Sequence, residues 1–159
     1  MESCYNKLIK FQIMDDGKMT KKLDGTVYFY LKSEKNTDIT EIKYETPGIL
    51  YTKDRVNFLF FEENNMDDNS KTKCRFEFDD QKIKLRRNGP IILEQNYRLK
   101  EITEGYLKTS YGELKTKAET IKYEVFQQTG TSLTIQLTYK LFVAEEDTGK
   151  HQLRIKFEI

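Results

Sequence analysis

The chain has 159 residues, with 27 Lys plus Arg against 26 Asp plus Glu and a formal net charge of +1. That length predicts one domain able to bury roughly 70% of the surface its open chain exposes, so no disulfide or metal is needed to hold it. The charge balance excludes a strongly polyanion-seeking protein and an acidic solvating tail.

Two Ala stand against 33 Thr, Ile and Val and 20 Phe and Tyr, a composition that favours sheet over helix. In chain order, residues 1–24 read as an N-terminal extension, an arm or an added strand, ahead of a domain spanning 26–159. Within residues 1–14 the periodicity does not separate helix from strand, and Lys18, Lys21 and Lys22 read as a solvated cluster. The longest apolar run, Val27 to Leu31, falls far short of the roughly 20 residues of a membrane-crossing helix. No export stretch precedes it, so the expected compartment is the cytosol, with Cys4 and Cys74 reduced and Cys74 acting as a small core hydrophobe.

Beyond residue 26 the dominant period is two. Pro47-Gly48 is expected to end a strand near 39–46, and Lys53-Asp54-Arg55 to divide the aromatic segments 49–52 and 56–61. Glu62 to Ser70 reads as a loop. Its Glu62, Glu63, Asp67 and Asp68 lack the ligand order and central Gly of a calcium loop, so a solvated hairpin tip is expected. Residues 72–79 alternate, with Thr72, Cys74, Phe76 and Phe78 opposite charged neighbours. Asp79-Asp80-Gln81 and Asn88-Gly89-Pro90 bracket a short strand at 82–87, and a further strand covers 91–99. Gly112 interrupts 106–126, and Thr129-Gly130 and Asp147-Thr148-Gly149 mark the last two loops around the alternating runs 133–141 and 153–159.

Nine to eleven strands with one wet and one dry face predict an all-β fold. Such a sheet hides its edges by closing, here as an antiparallel barrel of about eight to ten strands. Leu59 and Phe61, on an outer phase opposite Val56, Phe58 and Phe60, suggest a wall covered on both faces, by the extension or by a second copy of the chain.

The inward phase carries unexpected groups. In 82–87 it reads Ile83, Leu85, Arg87; in 91–99 it reads Ile91, Leu93, Gln95, Tyr97, Leu99; Tyr139 stands between Leu137 and Leu141. A guanidinium, an amide and two phenols on the dry side demand partners. Either Arg87, with Gln95, Tyr97 and Tyr139, meets the anionic head of a small amphiphile through its planar fork, or Arg87 sits at the barrel mouth paired with a carboxylate and serves structure.

The segment from Thr26 to Ile159 resembles the YwiB-like family of uncharacterised proteins from Bacillus-type bacteria. The likeness rests on Arg87-Asn88-Gly89, Gln95-Asn96-Tyr97, Thr109-Ser110-Tyr111-Gly112-Glu113-Leu114 and Tyr139-Lys140-Leu141, in that order. Ser110 stands where the family tends to have proline. The resemblance implies a calycin-like, lipocalin-related barrel and supplies no catalytic residue.

Enzyme chemistry finds little support. His151 is the one histidine, beside a turn, and is expected to be solvated; no nucleophile elbow, zinc ligand set or Gly-rich phosphate loop is present. Lys82, Lys84 and Arg86 share an outward face and Tyr28 and Tyr30 another, the elements of a nucleic-acid platform, yet an ordinary wet strand looks the same. The expectation is therefore a non-enzyme with neither cofactor nor metal, no membrane or nucleic-acid partner, and a homodimer as one arrangement. Its function is to bind a small amphiphile in the barrel, or, with the barrel filled, to act through protein contacts.

Overall fold

Alternation decides the architecture. The computed structural model describes residues 9–13, 19–65, 69–128 and 130–159, which form strands joined by short turns. The strands are β1 (Ile9–Ile13), β2 (Met19–Lys35), β3 (Asp38–Lys53), β4 (Val56–Asn64), β5 (Lys71–Phe78) and β6 (Lys82–Asn88), followed by β7 (Ile92–Arg98), β8 (Ile102–Thr109), β9 (Gly112–Gln128), β10 (Ser132–Val143) and β11 (Glu146–Glu158). From β2 onward each strand pairs antiparallel with the next, and β11 returns to β2 through Glu158↔Thr26 to Lys150↔Glu34. Ten strands thus close an up-and-down barrel and leave no open edge among β2–β11. β1 pairs with Met19–Leu23, the part of β2 that extends past β11.

The two-residue rhythm sends one row of each strand inward. β5 alternates exposed Lys71, Lys73 and Arg75 with buried Thr72, Cys74 and Phe76, and β10 and β11 place Ile135 and Ile155 at no measurable exposure. One end of the barrel is dry: Phe78, Ile83, Tyr97 and Phe157 are each at most 2% exposed. Tyr123 closes that end, its hydroxyl donating to the Asp79 carbonyl (2.5 Å). A bulge makes this closure possible. Thr138 pairs Lys122 but Tyr139 pairs Thr120, so one extra β9 residue shifts the phase and turns Tyr123 inward. At the other end the inward row is open, with Ile42 50% and Leu114 42% exposed.

Several sequence expectations are corrected. β3 runs straight through Pro47-Gly48, because Pro47 lies where the β4 pairing stops at Gly48↔Phe61, a position that tolerates a missing N–H. The last hairpin turns at Ala144 and Glu145 (φ 48° and 70°) with neither Gly nor Asn, so the Asp147-Thr148-Gly149 signal falls inside β11 as a bulge. Ile91 and Leu99 are 54% and 40% exposed, since both lie in turns beyond the ends of β7. Residues 1–8 and 14–18, with Cys4 and Lys18, lie outside the described residues, as do 66–68 with Asp67 and Asp68.

One inner contact fixes the wall between β7 and β9. The Gln95 amide nitrogen donates to the Asn96 and Thr103 carbonyls, and its oxygen accepts from Thr116 Oγ1 at 2.5 Å. A Cβ on Gly105 would be driven into Gln95 Oε1, Thr116 Oγ1 and the Glu94 carbonyl. Gly105→Ala is therefore expected to cost about 1–3 kcal/mol, read as a lower urea midpoint; an unchanged midpoint would show that this wall is not close-packed.

Candidate functional site

Polar side chains gather inside the barrel in two clusters. Arg87 continues the inward row Ile83–Leu85 of β6, as the alternation requires. Its partner is Glu63, which continues the row Leu59–Phe61 of β4; that row was expected outside and instead faces the core, with Leu59 and Phe61 buried. The pair reaches across Cys74 of β5: Phe61 faces Cys74, and Cys74 faces Arg87. Arg87 Nη2 bonds one Glu63 oxygen and the Tyr44 hydroxyl donates to the other. Burial opposes the Arg87 charge, and the Glu63 carboxylate overcomes that effect and holds the guanidinium protonated. Burial is likewise the main reason the Tyr44 hydroxyl and the Cys74 thiol resist ionisation, the thiol being pushed up to about 12.

Glu63 is the residue the sequence reading missed. Assigned to a solvated hairpin tip, it instead has a side chain only 11% exposed. β4 runs three residues further than expected, to Asn64, and counting Leu59, Phe61, Glu63 by twos would have found it. The Arg87 side chain is 40% exposed while its Nε is buried and unpartnered, so the guanidinium borders both the open end and the interior.

The second cluster lies on β7, β10, β11 and β2. Tyr97 and Tyr139 pack with ring centroids 4.7 Å apart, and Tyr139 stacks on His151 at 5.1 Å. Both phenols are fully enclosed; burial raises their pKa values, and the Arg87 charge acts on each in the opposite sense. The Tyr97 hydroxyl is buried without a well-directed hydrogen bond, as is Thr120 Oγ1. A buried, unsatisfied hydroxyl costs about 1–3 kcal/mol, which marks a place where a further partner belongs.

His151 is not the solvated loop residue expected. The bulge at 147–149 continues β11, so His151 joins the inward row of Leu153 and Ile155. Ser33 Oγ lies 2.8 Å from Nδ1, and Thr148 Oγ1 lies 3.0 Å from Nε2. Thr148 donates its own proton to the Leu141 carbonyl at 2.7 Å, so Nε2 carries the ring hydrogen and Nδ1 accepts from Ser33. Burial keeps this imidazole neutral, its pKa lowered from the ordinary 6.5 against a smaller raising effect of Asp147.

Of the four residues proposed from sequence, the structure thus brings Arg87, Tyr97 and Tyr139 into one electrostatically connected group. Gln95 is engaged by the wall instead, with both kinds of polar atom bonded to β7, β8 and β9. Outside, Lys84 and Arg86 both pair with Glu94 at 2.9 and 2.5 Å, so that face forms a closed ion network. Tyr30 lies under Arg154, 5.1 Å from ring to guanidinium. Among the described residues no cluster of metal ligands occurs, and no helix is long and apolar enough to cross a membrane.

Comparison with known proteins identifies relatives of matching architecture. The family described as "Domain of unknown function (DUF1934)" matches residues 27–155. The uncharacterized beta-barrel protein YwiB of Bacillus subtilis (strain 168) is 25% identical over 120 residues, which span 74% of this chain and 80% of that protein. The crystal structure of the ywiB protein from Bacillus subtilis superposes with a TM-score of 0.75 at 21% identity, covering 86% of this chain and 92% of that one. At that identity the structural likeness speaks for the fold.

The neutral His151 sets a pH dependence of stability. Unfolding exposes an imidazole that takes a proton below pH 6.5, which the folded site resists. The unfolded state therefore binds more protons in that range, and stability falls as pH drops through it. Urea midpoints measured from pH 7.5 to 5.5 are expected to decline, and to decline less steeply in His151→Gln; equal slopes would contradict the buried neutral ring.

Proposed function

The chain belongs to the DUF1934 family of domains of unknown function, and we propose that it acts without catalysis, binding a small amphiphile inside its barrel. The observation that carries this reading is the Tyr97 hydroxyl, buried with no well-directed hydrogen bond, which interacts with Tyr139 and lies within the field of an Arg87 whose Nε also lacks a well-directed bond. Phenol and guanidinium N–H and O–H groups are donors, so the head they suit is rich in acceptors. The inward residues toward the open end, Leu31, Ile42, Leu93 and Leu141, are apolar and partly or largely exposed, which suits a hydrocarbon tail. Gln95 serves here by fixing the wall that carries Tyr97. The expected setting is the cytosol, with no cofactor.

A filled barrel acting through protein contacts has one observation in its favour. A groove of about 650 Å³ lies on the outer wall, with Val56 and Phe58 beside Lys53, Lys84 and Arg98. Tyr97 lines it as well, and the lumen, where Tyr139 and the Arg87 charge act on that same residue, is the better site.

Native mass spectrometry of the full chain purified from its own host tests the proposal. A retained small adduct is expected on the wild type. Tyr97→Phe should reduce its retention about tenfold while leaving thermal stability equal or slightly higher, since an unpaired hydroxyl is removed. Absence of any adduct, or equal retention by the variant, would overturn the reading.

A further inference from the structure

Charge accounting inside the barrel narrows the ligand further. Glu63 neutralises Arg87 and accepts from Tyr44 with its other oxygen, so this pair offers no net charge to a guest. An anionic head brought to the free donors would add a negative charge to a dry, neutral site, a costly step unless a proton comes with it. Tyr44, Tyr97, Tyr139 and Cys74 are neutral acids that can only lose protons, and Arg87 is already a cation. His151 is the basic group of the lumen that stands neutral, one ring away from the Tyr97–Tyr139 pair.

Its surroundings accept either charge state. On β2 it faces Ser33, while the flanking Lys32 and Glu34 pair with each other at 3.1 Å. On β10 it faces the Tyr139 ring, and on its own strand it meets Thr148 and feels Asp147. Both nitrogen partners are hydroxyls, so the Ser33 O–H need only rotate to accept from a protonated Nδ1.

We propose that the lumen takes an anionic amphiphile and that His151 gains a proton as the head enters, so that binding tightens as pH falls. This rests on the lumenal reading above and adds the charge of the head and its coupling to pH. One proton taken up makes affinity rise by up to about tenfold per pH unit.

Calorimetric titration of the full chain with decanoate and with decanol, in two buffers of different ionisation heat, counts the protons directly. Decanoate is expected to bind near pH 7 with uptake approaching one proton and to tighten toward pH 6. Decanol should bind with no uptake and no pH dependence. His151→Gln should keep decanol binding, lose the proton uptake and hold decanoate at its weaker, high-pH affinity. Decanoate binding without uptake, or uptake undiminished in His151→Gln, would overturn this inference and leave the lumenal site standing. Failure of both probes to bind would overturn the two together.

Discussion

A guanidinium and a carboxylate that meet on the dry side of a closed sheet make the rest of this interior possible. Placing Arg87 on the inward row of β6 would be expensive alone. Glu63 arrives on the inward row of β4, two strands away, and Tyr44 closes the remaining carboxylate oxygen. With that charge matched, the barrel can keep further polar groups inside, and Tyr97, Tyr139 and His151 pack in a row, Tyr97 tilted against Tyr139 and Tyr139 stacked on His151. The pair borders the open end, which lowers its desolvation cost and leaves a route inward from solvent.

The two ends of the barrel therefore have different duties. One is sealed by Tyr123 bonded to the Asp79 carbonyl and by aromatic and branched residues at very low exposure. The other keeps apolar inward residues in contact with solvent. Two bulges create this polarity of design: the one in β9 swings Tyr123 into the sealed end, and the one at 147–149 aims Thr148 at His151. Neither bulge is decorative, since each sets the direction of a side chain that the interior uses.

Much of this was legible in the sequence. Period-two alternation in 72–79, 133–141 and 153–159 gave the barrel, and the same rhythm correctly aimed Arg87, Gln95, Tyr97 and Tyr139 inward. What remained hidden followed from turns and bulges. The Ala144–Glu145 turn has left-handed residues without Gly or Asn, so it carries no signal, while the visible Asp-Thr-Gly signal belongs to a bulge. That exchange is why His151 read as a loop residue. Glu63 was concealed by its acidic neighbours, which made a strand end look like a loop. Gln95 was rightly placed and its use misjudged, because a partner on β9 cannot be read from β7 alone.

Arg87 and Glu63 form a sheltered pair, and a double-mutant cycle with Arg87→Met and Glu63→Gln measures its strength. Urea stabilities of the wild type, both single variants and the double variant are expected to give a coupling of about 1–3 kcal/mol, toward the lower end given the partial exposure of Arg87. Most of that coupling should persist in about 0.5 M salt, because a pair inside the barrel is little screened. A coupling near zero, or one that salt abolishes, would place the pair on a solvated surface and contradict the account.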